Sequence, residues 1–195
     1  MALIRLYMTM SLDGYVVGPH DSTDAPMGHD GFRLFNWLDK RHDPGPSGQV
    51  YAESMATRAL IAGRRTYEHA GHWQGDHHNG VPIFVLTHDV PADPPPGSVR
   101  YVTDVRECAS QARDAAGDGD VMVHGAGAAQ ALLRAGQVDE LELHVVPVLL
   151  GQGRRLFDNL PPEHIELDLV RRLTTPGSVE LAKRVTHLRY RVRHS

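Results

Sequence analysis

Short apolar runs alternate with amphipathic stretches along this chain, a pattern typical of α/β proteins. Strands are predicted at 3–10, 58–62, 81–87, 99–102, 121–124 and 140–149, with two more near 165–173 and 179–192. Helices are predicted at 32–39, 49–56 and 104–116, the last capped by Asp104, and a long loop follows the first strand to about residue 30. The pattern indicates a core sheet with helices packed against it.

Length and composition fit a single domain over residues 1–195. A chain of 195 residues with 41% hydrophobic content can bury one substantial core. The prolines within 91–97 predict a stiff surface connection and not a domain linker, because strand patterns lie close on both sides. The single Cys108 excludes an internal disulfide, and its helical spacing with Ala109 and Ala112 predicts a core thiol.

Charge and hydropathy narrow the possible partners. The net charge is −4 with acids and bases interspersed, which gives no general attraction to nucleic acid or to anionic lipid. No apolar run approaches the length of a membrane span, and the N-terminus lacks a signal-type hydrophobic stretch. We therefore expect a cytoplasmic protein that binds a small molecule, without nucleic acid or membrane as a partner.

The segment 60–68 has the composition of a phosphate-binding turn. Residues 60 and 61 end a predicted buried strand, Gly63 is interpreted as a tight exit, and 64–68 as a first helical turn. The free N–H groups of such a turn can face an anion. The alternative interpretation is an ordinary strand-to-helix turn with two solvated arginines.

A second turn of this kind follows the predicted strand 121–124. The sequence Gly-Ala-Gly-Ala-Ala-Gln at 125–130 has small residues that let a backbone approach a pyrophosphate closely. A helix continues to residue 135, Gly136 closes it, and the strand after Asp139 completes a βαβ unit. Two such turns, about sixty residues apart, suggest one extended cofactor held at two points.

The second turn also matches the first two positions of the Gly-x-Gly-x-x-Gly dinucleotide fingerprint. Gln130 stands where the third glycine belongs, and no clear ribose-binding acid follows at about twenty residues. This alternative is disfavoured.

Four motifs in order resemble the dihydrofolate reductase-like family, in the branch that includes the reductase domain of riboflavin biosynthesis. They are the segments at 10–18 (MSLDGYVVG), 63–68 (GRRTYE), 85–88 (VLTH) and 138–157, the last being long and distinctive for this branch. The resemblance implies a three-layer α/β fold with a mixed, mostly parallel central sheet flanked by helices. One departure is the pair Gly125-Ala126, where many members of the family carry two adjacent glycines.

The resemblance implies NADPH as the cofactor. Arg64 then meets the adenosine 2′-phosphate, which predicts a preference for NADPH over NADH, and Thr66 faces the pyrophosphate. Leu86, Thr87 and His88 flank the adenosine end. The residues expected to contact the cofactor are Val17, Gly18, Gly63, Arg64, Arg65, Thr66, Leu86, Thr87, His88, Gly125, Ala126, Gly127, Ala128, Ala129 and Gln130.

The same resemblance places the loop 11–18 beside the nicotinamide and the substrate. Asp13 is the candidate catalytic residue, either binding a polar substrate group or helping to deliver a proton; the alternative is an Asp-Gly turn that redirects the chain. Expected substrate-binding residues are Ser11, Asp13, Gly14 and Trp37. The acid that serves the pterin in dihydrofolate reductases has three candidates here, which are Asp30, Asp39 and Glu53.

Histidines and aromatic residues crowd the region around Trp73. His69, His72, His77 and His78 lie there, but no HExxH or similar spacing appears, so we predict a polar loop near the cofactor entrance and no metal site. Trp73, Phe35 and Trp37 can stack on a flat substrate ring, although a core position is the favoured interpretation of Phe35.

Together with the two turns, the resemblance implies an NADPH-dependent oxidoreductase. It transfers a hydride to a C=N or C=O bond of a small heterocyclic substrate, pterin-like or pyrimidine-like. The strands after Asp139 leave apolar surface or sheet edges that need cover, which predicts a homodimer. Two alternatives stay open: a catalytically idle nucleotide- or flavin-binding module of the same fold, and an enzyme that uses flavin as substrate or cofactor.

Overall fold

A continuous eight-stranded sheet forms the centre of the computed structural model, which describes residues 2–93 and 99–194. The strands in chain order are β1 (Ile4–Ser11), β2 (Tyr15–Val17), β3 (Ala59–Gly63), β4 (Ile83–Leu86), β5 (Val99–Val102), β6 (Val121–His124), β7 (Glu140–Val146), β8 (Arg154–Arg155), β9 (Leu167–Thr174) and β10 (Thr186–Val192). The sheet order is β5-β4-β3-β6-β1-β7-β10-β9, and β2 pairs separately with β8. β10 pairs antiparallel with both β7 and β9, and the other described pairings of the large sheet are parallel, so the sheet is mixed and mostly parallel, as predicted.

Helices cover both faces of this sheet. The α-helices are α1 (Pro46–Met55), α2 (Arg64–His69), α3 (Val105–Ala116) and α4 (Ala126–Arg134). Shorter 3-10 helices lie at Gly31–Lys40, Gly71–Gly75 and Leu181–Lys183. No helix within the described ranges is both long and apolar enough to cross a bilayer.

The predicted strands and helices are present, with differences at their ends. The strand predicted at 179–192 begins only at Thr186, after the 3-10 helix Leu181–Lys183. The strand predicted to reach residue 149 stops at Val146, because Pro147 has no N–H to continue the ladder. The long N-terminal loop contains β2, and the helix predicted at 32–39 is a 3-10 helix. Most of the proline-rich connection predicted at 91–97 lies outside the described residues.

One face of the sheet buries the main hydrophobic core beneath α3 and α4. Alternate strand residues such as Leu6 on β1 and Val123 on β6 point into it and are fully buried. Cys108 of α3 is also fully buried there, and burial raises the pKa of its thiol to about 12, so the predicted core thiol is confirmed. Asp104 caps α3 as predicted, accepting hydrogen bonds from two backbone N–H groups, and Gly136 ends α4 with a φ of 64°.

The opposite face changes character along the sheet. Beneath α2 it is apolar, but across β7, β10 and β9 it carries buried charges. Glu142 of β7 is completely buried and accepts hydrogen bonds from Arg171 and Arg189. Both arginines also reach Glu53 of α1, with Arg171 making a two-pronged pair at 2.7 and 2.8 Å. This network ties α1 to the sheet and thereby fixes one wall of the cavity described below.

Candidate functional site

A cavity of about 1700 Å³ opens at the carboxyl ends of β1, β3, β4 and β6. Ligands of open α/β sheets bind at this edge, outside the carboxyl ends of the strands. Typical small-molecule sites measure about 300–1,000 Å³. The cavity therefore has room for an extended cofactor together with a second ligand.

The two predicted glycine-containing turns meet at this cavity. They follow β3 and β6, which are neighbouring strands with Ala62 opposite His124. Gly125 has a φ of 91°, and a Cβ atom added to it would lie 2.1 Å from Thr66 Oγ1 of the other turn. Glycine is thus required at 125 for its backbone conformation and for the close approach of Thr66. One ligand can contact both turns at once.

Most of the predicted cofactor residues lie on the cavity wall. Those that line it are Val17, Gly63, Arg64, Arg65, Thr66, Leu86, Thr87, His88, Gly125, Ala126, Gly127, Ala128 and Gln130. Gly18 and Ala129 are not among the described wall residues. Ala129 is fully buried on the core side of α4, and Gly18 packs against the His29 carbonyl, where a Cβ atom would approach the oxygen to 1.9 Å.

The two predicted phosphate-binding arginines are at the wall, each with an acidic partner. Arg64 Nε donates to Glu68 at 2.7 Å, and Arg65 Nε donates to Asp21 at 3.0 Å. Arg154 of β8, which sequence analysis did not single out, also lines the cavity and donates to Asp21 at 3.1 Å. Three guanidinium groups therefore surround this part of the cavity.

Gly63 does not form the tight exit that the sequence suggested. It is the last residue of β3, with a φ of −74° that any residue adopts. A Cβ atom there would make ordinary contact with Ala128 N at 3.5 Å. The chain turns because α2 begins directly at Arg64, and neither φ nor this contact requires glycine at 63.

Asp13 is not among the described wall residues, and neither are Ser11 and Gly14. Its carboxylate accepts hydrogen bonds from Ser11 Oγ at 2.5 Å and from the N–H groups of Leu150 and Gly151 at 3.1 and 2.8 Å. Desolvation acts to raise the pKa of Asp13, but these hydrogen bonds outweigh it and hold the pKa below its ordinary value. The geometry favours the Asp-Gly turn interpretation, because this carboxylate fastens the loop to residues 150 and 151.

None of the three acids considered for a pterin lies on the described cavity wall. Asp30 is exposed beside His29, Asp39 pairs with Lys183, and Glu53 belongs to the buried arginine network. Each of these carboxylates is therefore directed to a partner elsewhere in the fold.

Several aromatic side chains line the same cavity. Trp37, one of the expected substrate-binding residues, lines the cavity, is 4% exposed, and donates from Nε1 to Thr9 Oγ1 at 3.2 Å. Phe35 was assigned to the core, yet it is 37% exposed and lines the cavity together with Phe32. The 3-10 geometry of this segment changes which side chains share a face, so the helical spacing misplaced Phe35. Trp73 is also on the wall.

Three histidines outside the segment 69–78 lie at or behind the cavity wall, His144 and His187 buried and His124 half-buried, and the sequence patterns did not reveal them. His124 ends β6 and His144 lies near the end of β7; both line the cavity, and His187 of β10 lies behind His144. His187 Nδ1 is 2.9 Å from His144 Nδ1. A polar residue at the last position of an apolar strand was the available signal for His124. Within the described part of the chain, no three His, Cys, Asp or Glu side chains converge to hold a metal ion.

Burial perturbs these imidazoles. It lowers the pKa of His124 to about 4, and burial together with the neighbouring His187 lowers the pKa of His144 well below its usual range. The pKa of His187 is lowered to about 4 by burial and by the positive charge of Arg171. These rings are uncharged at neutral pH.

Replacement of Gly125 by alanine tests the contact between the two turns. We expect Gly125→Ala to lower the free energy of unfolding by about 1–3 kcal/mol through backbone strain, with the Thr66 contact adding to the loss. Gly127→Ala is the matched control, because a Cβ atom at 127 meets nothing within 4 Å. Urea denaturation measures both variants, and equal stability losses would contradict the assignment.

The buried histidines predict a loss of stability in acid. His187 titrates near pH 4 when folded and near 6.5 when unfolded, so the unfolded state binds more protons between these values and stability falls as pH falls through them. His187→Gln is expected to reduce this slope by up to about 1.4 kcal/mol per pH unit. The exposed His164→Gln is the control. Urea denaturation across this pH range measures the slope; an unchanged slope in His187→Gln would refute the prediction.

Comparison with solved structures shows the fold. A protein of Shewanella sp. PV-4 described as a riboflavin biosynthesis protein superposes with a TM-score of 0.70 at 21% identity, covering all of both chains. Dihydrofolate reductase from Enterococcus faecalis, complexed with NADP(H), superposes with a TM-score of 0.64 at 17% identity, covering 99% of this chain and 97% of the reductase chain. A pyrimidine reductase-like protein from Corynebacterium diphtheriae superposes with a TM-score of 0.63 at 14% identity, covering 100% of this chain and 93% of the corynebacterial chain.

These similarities confirm the predicted dihydrofolate reductase-like α/β fold. No curated protein sequence matches this chain significantly. A family model does match it: the RibD C-terminal domain aligns with residues 2–181, which is nearly the whole chain. The predicted resemblance to the reductase domain of riboflavin biosynthesis is thereby confirmed. The chain belongs to the RibD C-terminal domain family.

Proposed function

We propose that this chain is an NADPH-dependent reductase. It transfers a hydride to a C=N or C=O bond of a small heterocyclic substrate, pterin-like or pyrimidine-like. The observation that carries the proposal is the single cavity in which the two turns touch and three arginine side chains gather. Its volume accommodates a dinucleotide and leaves space for a second ring.

The turn after β6 fits a pyrophosphate. The first N–H groups of α4 have no partner within the helix, and hydrogen bonding inside it begins with Ala129 N–H to the Gly125 carbonyl at 3.0 Å. Gly127 presents no side chain toward the open space beside it. Free amides and an uncrowded backbone form an anion-binding surface at the N-terminus of this nine-residue helix.

The guanidinium groups of Arg64, Arg65 and Arg154 suit the additional phosphate of NADPH. The Arg64–Glu68 pair is exposed and therefore weak, so a phosphate can replace Glu68 as the partner of Arg64. Asp21 is only 13% exposed and faces both Arg65 and Arg154. It keeps these two arginines together beside the cavity.

Similar proteins support the same cofactor and reaction class. The enterococcal dihydrofolate reductase was solved with NADP(H), and the corynebacterial protein carries the name pyrimidine reductase-like. Membership of the RibD C-terminal domain family agrees with a reductase of this kind.

The protein side chains supply orientation and exclusion of water. NADPH, when bound, supplies the hydride. Trp37 and Trp73 line the cavity and can hold a flat ring by stacking, while Phe32 and Phe35 restrict solvent at its rim. Since Asp13 is engaged with residues 150 and 151, the proton is assigned to water that enters the cavity.

A catalytically idle module that binds a nucleotide or a flavin is the second candidate. The observation in its favour is that no candidate acid for substrate lies among the described wall residues near Trp37. Oxidation of NADPH in the presence of pterin, pyrimidine or carbonyl substrates would exclude the idle module. A yellow colour after purification would indicate bound flavin.

Nucleotide titration tests the cofactor. Purified protein is expected to bind NADPH more tightly than NADH, measured by the fluorescence of the reduced nicotinamide. Arg64→Ala should weaken NADPH binding by about ten- to a hundredfold, toward the NADH level, because a charge-assisted hydrogen bond contributes about 1.5–3 kcal/mol. Arg172→Ala, an exposed arginine on β9, is the matched control and should bind normally. If the protein binds neither NADPH nor NADH, the reductase proposal is refuted.

A homodimer formed along β9 is proposed as the oligomeric state. This edge strand exposes Leu167, Leu169 and Val170, which are 38%, 57% and 46% accessible. Light scattering should give a mass in solution of twice the 21.5 kDa of one chain, and Leu169→Lys should lower the measured mass toward that of one chain. Leu181→Lys is the control, since Leu181 is exposed in a separate 3-10 helix. A monomeric parent protein would contradict the proposal.

A further inference from the structure

Two imidazole rings, those of His77 and His124, lie together at the deep end of the cavity. We use this name for the wall formed by Tyr7, Trp73, His77, Met122 and His124. The ring centroids of His77 and His124 are 5.1 Å apart. Trp73 packs against His77, with 4.8 Å between their ring centroids. The hydrogen bonds behind the two rings determine which nitrogen atoms carry protons.

The tautomer of His124 follows from its contact with Tyr7. Its Nδ1 is 2.9 Å from the Tyr7 carbonyl oxygen, which can only accept. Nδ1 therefore carries the hydrogen. Burial lowers the pKa of His124 to about 4, so the ring is uncharged at neutral pH. Its Nε2 then has a free lone pair and is a hydrogen-bond acceptor.

The tautomer of His77 follows from a chain of two hydrogen bonds. His78 Nε2 is 3.1 Å from the Thr57 carbonyl oxygen, so Nε2 carries a hydrogen and donates, and in this tautomer Nδ1 accepts. His77 Nδ1 lies 2.7 Å from that atom and must donate to it. Burial lowers the pKa of His77 to about 3. His77 Nε2 is therefore also an acceptor.

Neither Nε2 atom is fully enclosed by the described residues. Neither has a hydrogen-bond partner among the described residues. In that same part of the chain, the only side-chain nitrogen or oxygen both fully enclosed and without a partner is Arg171 Nε. His77 and His124 line the cavity, so their unpartnered nitrogens face its interior.

Carboxylates are confined to another part of the wall. The described acidic residues that line the cavity are Asp21, Glu68, Asp89 and Asp104. Asp21 and Glu68 pair with the arginines beside the turns, and Asp89 and Asp104 follow β4 and β5. The deep end thus combines two uncharged acceptors with the apolar surfaces of Trp73 and Met122.

We propose that the deep end recognises an uncharged ring by its hydrogen-bond donor edge. Imide, lactam or amino N–H groups of the ligand donate to Nε2 of His77 and Nε2 of His124, while Trp73 contacts the ring. This assignment rests on the proposed reductase function and specifies its substrate class. A protonated heterocycle is disfavoured, because no carboxylate of the described wall stands at the deep end to pair with it.

A matched series of three bicyclic probes tests this proposal. Quinazoline-2,4-dione is uncharged and has two N–H donors, 1,3-dimethylquinazoline-2,4-dione has none, and protonated 2,4-diaminoquinazoline has donors and a positive charge. Calorimetric titration of NADPH-saturated protein is expected to show binding of the dione. The dimethyl compound should bind about two- to tenfold more weakly for each lost hydrogen bond, and the cation more weakly than the dione.

Variants connect the donor preference to the histidines. His77→Phe should reduce the affinity ratio of dione to dimethyl compound by about two- to tenfold, and His77→Gln, which keeps an amide oxygen, should retain part of it. His72→Phe is the control, because His72 packs on Tyr67 and is not among the described wall residues. The ratio is unaffected by a general loss of folded protein, which lowers both apparent affinities equally.

Several outcomes would overturn the proposal. They are no binding of the dione, equal affinities for the dione and its dimethyl derivative, tighter binding of the cation, or an unchanged ratio in His77→Phe. The titrations are repeated without nucleotide, so the donor preference is measured even if the protein fails to bind NADPH. Failure of nucleotide binding alone refutes the reductase proposal, whereas loss of the donor preference alone refutes the substrate assignment.

Discussion

The close contact between Gly125 and Thr66 is the constraint on which the cavity depends. The turn after β3 and the turn after β6 can approach only because residue 125 has no Cβ atom and adopts a positive φ. Parallel pairing of β3 with β6 places both turns at one edge of the sheet. The separation of the arginine-rich turn from the amide-rich turn is therefore set by backbone packing, before any ligand binds.

The part of the cavity wall formed by α1 depends on buried polar groups. Glu53 and Glu142 bind two arginines that connect α1 to β9 and β10, and α1 brings Tyr51 and Met55 to the cavity. The uncharged imidazoles of His144 and His187 are buried against each other and beside Trp37. This wall of the cavity is consequently shaped by groups whose charge or tautomer is fixed by partners behind them.

Local patterns predicted the elements well because their causes are local. Short apolar runs indicated the strands, Asp104 began a helix and Gly136 ended one by their own backbone chemistry, and Cys108 lay on a helix face. The positions of Asp13 and Phe35 were not predictable in this way. Asp13 is fixed by residues more than one hundred positions away, and Phe35 by a 3-10 geometry that helical spacing does not reveal.

The central claim is that one nucleotide contacts both turns. Titration of uniformly ¹⁵N-labelled protein with NADPH tests this directly, because the amide signals of residues 64–66 and 125–128 report on the two turns separately. The account predicts that signals from both turns shift together along one saturation curve. Shifts confined to one turn, two different affinities, or changes only elsewhere would contradict it.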